Sequence, residues 1–179
     1  DNAVKTLFLP FDTGQLHSPK PGDQWLFLNA AVPAAAQPEF RPLLTCVQGF
    51  RPTFLALERA GYSAIADLGA GADFTGSLVL LGKHRELNRS NIQAALARSL
   101  ADAPVLVAGL KISGIESMRK EMAVLLPIDA VWSKHHAQVF QLTRPSHWVQ
   151  PPLKNTACID IDGFSFETAP GMFSHKAVD

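Results

Sequence analysis

Four short apolar runs constrain this chain more than any other feature. They are QWLFLNA (24–30), LLTCVQGF (43–50), SLVLLG (77–82) and PVLVAGL (104–110). They do not alternate with polar residues, so each reads as a strand buried on both faces. Helical patterns lie between and after them. RPTFLALERAG (51–61) carries Pro52 near its first turn and Gly61 as a stop. ELNRSNIQAALARSLAD (86–102) aligns Leu87, Ile92, Leu96 and Leu100 on one face. SGIESMRKEMAVLL (113–126) opens with Ser113 and Glu116 in capping-box spacing and aligns Ile115, Met118, Met122 and Leu125. DAVWSKHHAQVFQLTRP (129–145) reads as strand, turn, strand. Buried strands alternating with helices predict an α/β fold: a mostly parallel sheet, helices on both faces, and an antiparallel pair at one edge.

The chain's 179 residues are enough for one full core, and 47% hydrophobic against 18% charged residues argues for a folded domain. Lys+Arg and Asp+Glu are both 16, so any polyanion partner must be met by a local basic patch. Cys46 and Cys158 have neither metal spacing nor a disulfide framework, which fits a reducing compartment. No apolar run reaches the ~20 residues of a membrane span, and the opening DNAVKTLFLPFD lacks the pattern of a signal peptide. These features predict a soluble cytoplasmic protein; the missing initiator Met suggests a trimmed or partial chain. After Pro145 the character changes. PSHWVQPPLKN reads as a linker, and ACIDIDGFSFETAP alternates around Asp162-Gly163, a hairpin signal. The expected division is 1–145 for the α/β domain and 146–179 for a linker and a hairpin opening something further.

The segment SAIADLGAGADF (63–74) resembles a glycine loop for a nucleotide-like cofactor. Such a loop needs one glycine for the tight turn, one for ligand approach and one for close helix packing. Gly69 and Gly71 supply two; Asp73 stands where the third belongs. The loop should also follow a buried strand and open a helix, yet SAIA is weakly apolar and a strand follows. Glu86 lies near the spacing of a ribose-binding acid, but at a helix start. The natural place for the loop is after the first strand, where NAAVPAAAQP contains no glycine and Val32 and Pro33 would crowd the turn. The sheet is therefore expected to carry a degenerate cofactor loop, and 67–76 to be an exposed connection.

The last stretch, GFSFETAPGMFSHKAVD (163–179), places Gly163, Thr168, Pro170, Gly171, Phe173, Ser174 and Asp179 in the pattern that opens the catalytic domain of bacterial 16S ribosomal RNA guanine-N2 methyltransferases of the small-domain type, with Met172 for the usual Val. LVLLGKHRELNR, LVAGLKISGIESMRKEM and SKHHAQVF are similar to the first domain of that family. The resemblance implies a Rossmann-like methyltransferase-type sheet in a degenerate first domain. That domain would assist rRNA binding and support a second, catalytic domain that binds S-adenosylmethionine. It implies 16S rRNA or the small ribosomal subunit, and the chain's own catalytic domain, as partners. The family's Asn-Pro-Pro-Phe motif is absent; at the equivalent strand end stand Gly82-Lys83-His84. No catalytic or cofactor-binding residue is therefore expected in these 179 residues. Two other readings stay open: an active methyltransferase using the 67–73 loop, and a purely structural module without RNA contact.

Other constellations carry less. His135 and His136 are adjacent, without a Cys or carboxylate at ligand spacing, and read as turn residues rather than metal ligands. Ser113 and Ser133 lack a nucleophile's surroundings. Asp160 and Asp162 flank the hairpin, and Trp25, Trp132 and Trp148 read as packing residues. The basic residues are more informative. Lys83, His84 and Arg85 follow one predicted strand, Lys111 another, and Lys134 and His135 a third. If those strands are parallel, the cations converge on one rim, where Lys and Arg would meet RNA phosphates.

Overall fold

The computed structural model describes residues 2–33, 38–69 and 73–149, together with the backbone pairing of 157–161 and 164–168. The chain opens with helix α1 (Asn2–Asp12) and strands β1 (Trp25–Leu28) and β2 (Leu44–Val47), followed by helix α2 (Arg51–Arg59). Strands β3 (Ser63–Ile65) and β4 (Gly76–Leu80) lead to α3 (Arg85–Arg98), β5 (Pro104–Leu110) and α4 (Ile115–Leu125). Strands β6 (Ala130–Lys134) and β7 (Ala137–Thr143) complete a seven-stranded sheet of order β3-β2-β1-β4-β5-β7-β6. Only β7 is reversed: it pairs antiparallel with both β5 and β6, and the other pairings are parallel. The predicted α/β sheet with an antiparallel edge is what forms. A separate two-stranded sheet pairs β8 (Ala157–Ile161) with β9 (Phe164–Thr168), Ile161 opposite Phe164. The Asp162-Gly163 connection, and the Pro170 to Asp179 part of the family-like stretch, lie outside the described residues.

Strands β1, β4, β5 and β7 are buried on both faces because helices cover both. On one face, α1 and α2 bury Val4, Leu7, Phe8, Phe11 and Leu57 against Phe27, Leu78, Leu106 and Val139. On the other, α3 and α4 bury Ile92, Leu96, Ile115, Met118 and Met122 against Leu26, Val79, Val105, Val107 and Phe140. Phe11 and Phe40 meet Trp25 edge to face at 5.5 and 5.7 Å, the geometry that ring quadrupoles favour. Trp25 thus belongs to the core, and Trp148 packs against the second cluster.

Several expectations need correction. No element was expected before residue 24, yet Asn2–Asp12 is helical and builds much of one layer. Pro10 lacks an N–H and reads as a helix breaker, but it stands in the last turn, where its carbonyl accepts from Gln15 and Leu16 N–H. β3 was also unforeseen. Helix α3 stops at Arg98, so Leu100 falls outside it at 44% exposure, while Asn88 is buried. The capping box at Ser113 does not form. Ser113 ends a 3-10 turn (Lys111–Ser113), and Gly114, at φ 83°, is the N-cap of α4 without a side-chain cap bond. Leu125 is exposed rather than part of the packed face.

Candidate functional site

In an open α/β sheet, ligands meet the carboxyl ends of the strands where the order reverses, here between β1 and β4. Three amide side chains occupy that edge. Asn29, immediately after β1 and at φ 52°, donates from Nδ2 to the Leu80 carbonyl at the end of β4, 2.8 Å away. Gln48, immediately after β2, donates from Nε2 to the Ala30 carbonyl at 2.7 Å and accepts the Phe50 N–H at 2.9 Å. Asn88, in the first turn of α3, accepts the Gly82 N–H at 2.8 Å and donates to the Gly82 carbonyl at 3.0 Å. Strand-end backbone groups are where a nucleotide or cofactor is met in such sheets, and here side chains bond the Leu80, Ala30 and Gly82 carbonyls and the Gly82 and Phe50 N–H groups. None of the three amides was picked out from sequence.

The glycine segment lies elsewhere. Helix α3 runs from the carboxyl edge back toward the amino edge, and Arg98 in its last turn donates to the Gly69 carbonyl. Phe74 bridges to Ser99 at the same end. Among the described residues between Ile65 and Gly76 none is helical. Gly69 and Phe74 therefore lie toward the amino edge, away from the β1–β4 crevice; Ala70, Gly71 and Ala72 are outside the described residues.

The predicted basic residues do share one edge. Lys83, His84 and Arg85 follow β4, Lys111 follows β5, and Lys134 ends β6, which runs parallel to β5. The Lys111 N–H donates to the His136 carbonyl at 3.0 Å, joining the β5 end to the β6–β7 turn. All six side chains, His135 included, are exposed. His135 and His136 form the two-residue turn, both with positive φ (53° and 59°). Lys83 and Arg85 line a cleft of about 120 Å³ with Asn88, Ser113, Gly114 and Ser117. Arg85 also pairs with Glu121: its Nη2 lies 2.7 Å from Glu121 Oε2. Arg89 bonds both Glu121 and Glu86, so two arginines offset two glutamates. Hydrogen bonding from Arg89 holds the Glu121 carboxyl below its ordinary range; burial opposes it, and hydrogen bonding from Arg85 adds a lesser lowering. The lysines are not drawn into this network among the described residues. Ser133 Oγ pairs with Gln138 Nε2 at 3.2 Å. Burial alone pushes the Cys46 thiol up to about 12, which leaves it a core residue without thiolate chemistry.

The strand order, with its reversed seventh strand beside the outermost, and the helices on both faces define a Rossmann-like methyltransferase fold. Over its whole length the chain is similar in fold to the T. thermophilus 16S rRNA N2 G1207 methyltransferase (RsmC) in complex with AdoMet and guanosine, at TM-score 0.75 and 20% identity. It spans about half of that protein, 49%. The N-methyltransferase NodS from Bradyrhizobium japonicum WM9 matches 80% of this chain and 94% of its own, at TM-score 0.57 and 11% identity. An RNA methyltransferase from Salinibacter ruber in complex with S-adenosyl-L-homocysteine matches 87% of this chain and 97% of its own, at TM-score 0.50 and 12% identity. At these identities the likeness is one of fold. No protein-family model and no curated protein sequence matches the chain. Among the described residues no helix is long and apolar enough to cross a membrane.

Proposed function

We propose that this chain is the non-catalytic, methyltransferase-like part of an S-adenosylmethionine-dependent 16S rRNA (guanine-N2) methyltransferase, with residues 1–145 as the degenerate domain and 146–179 leading into a catalytic neighbour. The observation that carries the reading is the Asn29–Leu80 bond across the β1–β4 crevice, after a first strand followed by no glycine among residues 29–33. The amides of Asn29, Gln48 and Asn88 compete with any cofactor for the strand-end groups of Leu80, Ala30 and Gly82. Titration calorimetry of the chain with S-adenosylmethionine is expected to show no saturable heat; saturable micromolar binding would overturn the proposal.

Within that role, the carboxyl edge that presents Lys83, His84, Arg85, Lys111, Lys134 and His135 faces rRNA phosphates in the cytoplasm. Lys83, Lys111 and Lys134 supply the charge, because Arg85 is held by Glu121. Each phosphate contact on single-stranded RNA contributes about 0.7 to the slope of log affinity against log salt. Replacing the three lysines by Glu in the full-length protein should flatten that slope by about 2. An unchanged affinity and slope would favour a structural module that does not touch RNA.

A further inference from the structure

We infer that Phe50 is a stacking platform for an unpaired RNA base at the carboxyl edge, an assignment that rests on the RNA-facing reading above and extends it from phosphates to bases. Among the described residues Phe50 is the one Phe, Trp or Tyr whose side chain is exposed, at 66%. The other described phenylalanines are buried or half-buried. Its backbone is held at both ends. The N–H donates to Gln48 Oε1 at 2.9 Å, and the carbonyl accepts the Phe54 N–H at 3.0 Å. Gln48 is itself buried and tied to Ala30. A ring on a rigid backbone loses little freedom when a base stacks on it. The place also fits. Phe50 follows the end of β2, two strands from the end of β4 that leads to Lys83 and three from the end of β5 that leads to Lys111. At about 4.8 Å per strand those separations are roughly 10 and 14 Å along one edge.

The chemistry favours RNA over a protein surface. Exposed Arg51 adjoins Phe50, and its guanidinium lies over the Phe54 ring at 5.4 Å, a flat cation next to an open ring. Unpaired bases stack on aromatic faces and Arg planes while their phosphates follow Lys side chains. A docking face for protein would instead call for a contiguous apolar patch, whereas Phe50 stands between exposed Gly49 and Arg51.

The test is fluorescence anisotropy of the full-length protein with a labelled oligoadenylate of about ten nucleotides and with an abasic strand of the same length. Phe50→Ala should weaken oligoadenylate binding about 5- to 100-fold, leave the salt slope unchanged and leave the abasic strand unaffected. Phe50→Trp should retain affinity and show indole quenching on RNA addition beyond that of the wild type. Val124→Ala, at a still more exposed apolar residue (84%) near the far end of α4, should change nothing. Wild-type affinity in Phe50→Ala, or equal loss on both strands, overturns the assignment. If lysine reversal abolishes binding while Phe50→Ala does not, the phosphate rim stands and the stacking falls. If Phe50→Ala weakens binding while lysine reversal does not, the rim falls and the stacking stands. A wild type that binds neither strand refutes both.

Discussion

Replacing Asn88 by Ala tests whether the amide bracketing of the carboxyl edge is structural. Asn88 is 4% exposed and makes two bonds with Gly82, one as donor and one as acceptor. Two such bonds contribute about 1–3 kcal/mol net, toward the upper end because Gly82 is left with an unpaired N–H and carbonyl. Ala is the better helix former by about 0.6 kcal/mol, which offsets part of the loss. The expected net destabilisation is about 1–2.5 kcal/mol. With a urea m-value of about 2 kcal/mol/M, the midpoint should fall by roughly 0.5–1.2 M at unchanged m. Urea titration followed by circular dichroism and by tryptophan fluorescence, with Trp25 in the core, reads this directly. Asn88→Leu keeps the bulk and drops both bonds, so it should fall similarly. A Leu variant as stable as the wild type would show that burial, not the bracketing of Gly82, is what position 88 supplies, and the reasoning would be refuted.

Gly76→Ala should cost about 1–3 kcal/mol by overpacking, read as a lowered Tm, because a Cβ there would sit 2.5–2.6 Å from the Trp25 ring carbons. Edge-on contacts from Phe11 and Phe40 leave that ring little room to retreat. His135→Asn with His136→Gly should stabilise by about 1 kcal/mol or more in urea unfolding, since two left-handed residues suit an Asn-Gly turn and not a His-His one. Glu121→Gln should destabilise at neutral pH. Its arginines lower the folded carboxyl pKa, so the pairing stabilises fully above the ordinary glutamate value of 4.5 and is lost as pH falls through the folded value. The stability gap between wild type and variant should close on acidification; a gap that persists at low pH would assign the effect to packing.

Much of the sheet was legible because continuous apolar runs have few other uses in a chain this size. WLFL, LTCV, GSLVL and PVLVAGL are all strands, and all but LTCV are predominantly buried. Helix α1 was not legible: Pro10 argues against a helix locally, and its apolar residues become a helical face only when the sheet offers Phe27 and Leu78 to cover. β3 is three residues long and only half-buried, so pairing with β2 rather than its own pattern makes it a strand. The basic edge could be anticipated because cations after parallel strands share an edge by topology.

Local chemistry in the chain determines the alternation of strand and helix, the turn before β7, and the lack of a glycine after β1. These depend on side-chain period and backbone freedom within a few residues of one another. The tertiary structure alone decides which groups the strand-end amides bond. Asn29 meets Leu80 across 51 positions and Gln48 meets Ala30 across 18. An amide's hydrogen-bonding capacity does not name its partner; only the juxtaposed strand ends do. The same holds for Arg98 and Gly69, which meet across 29 positions at the far end of α3.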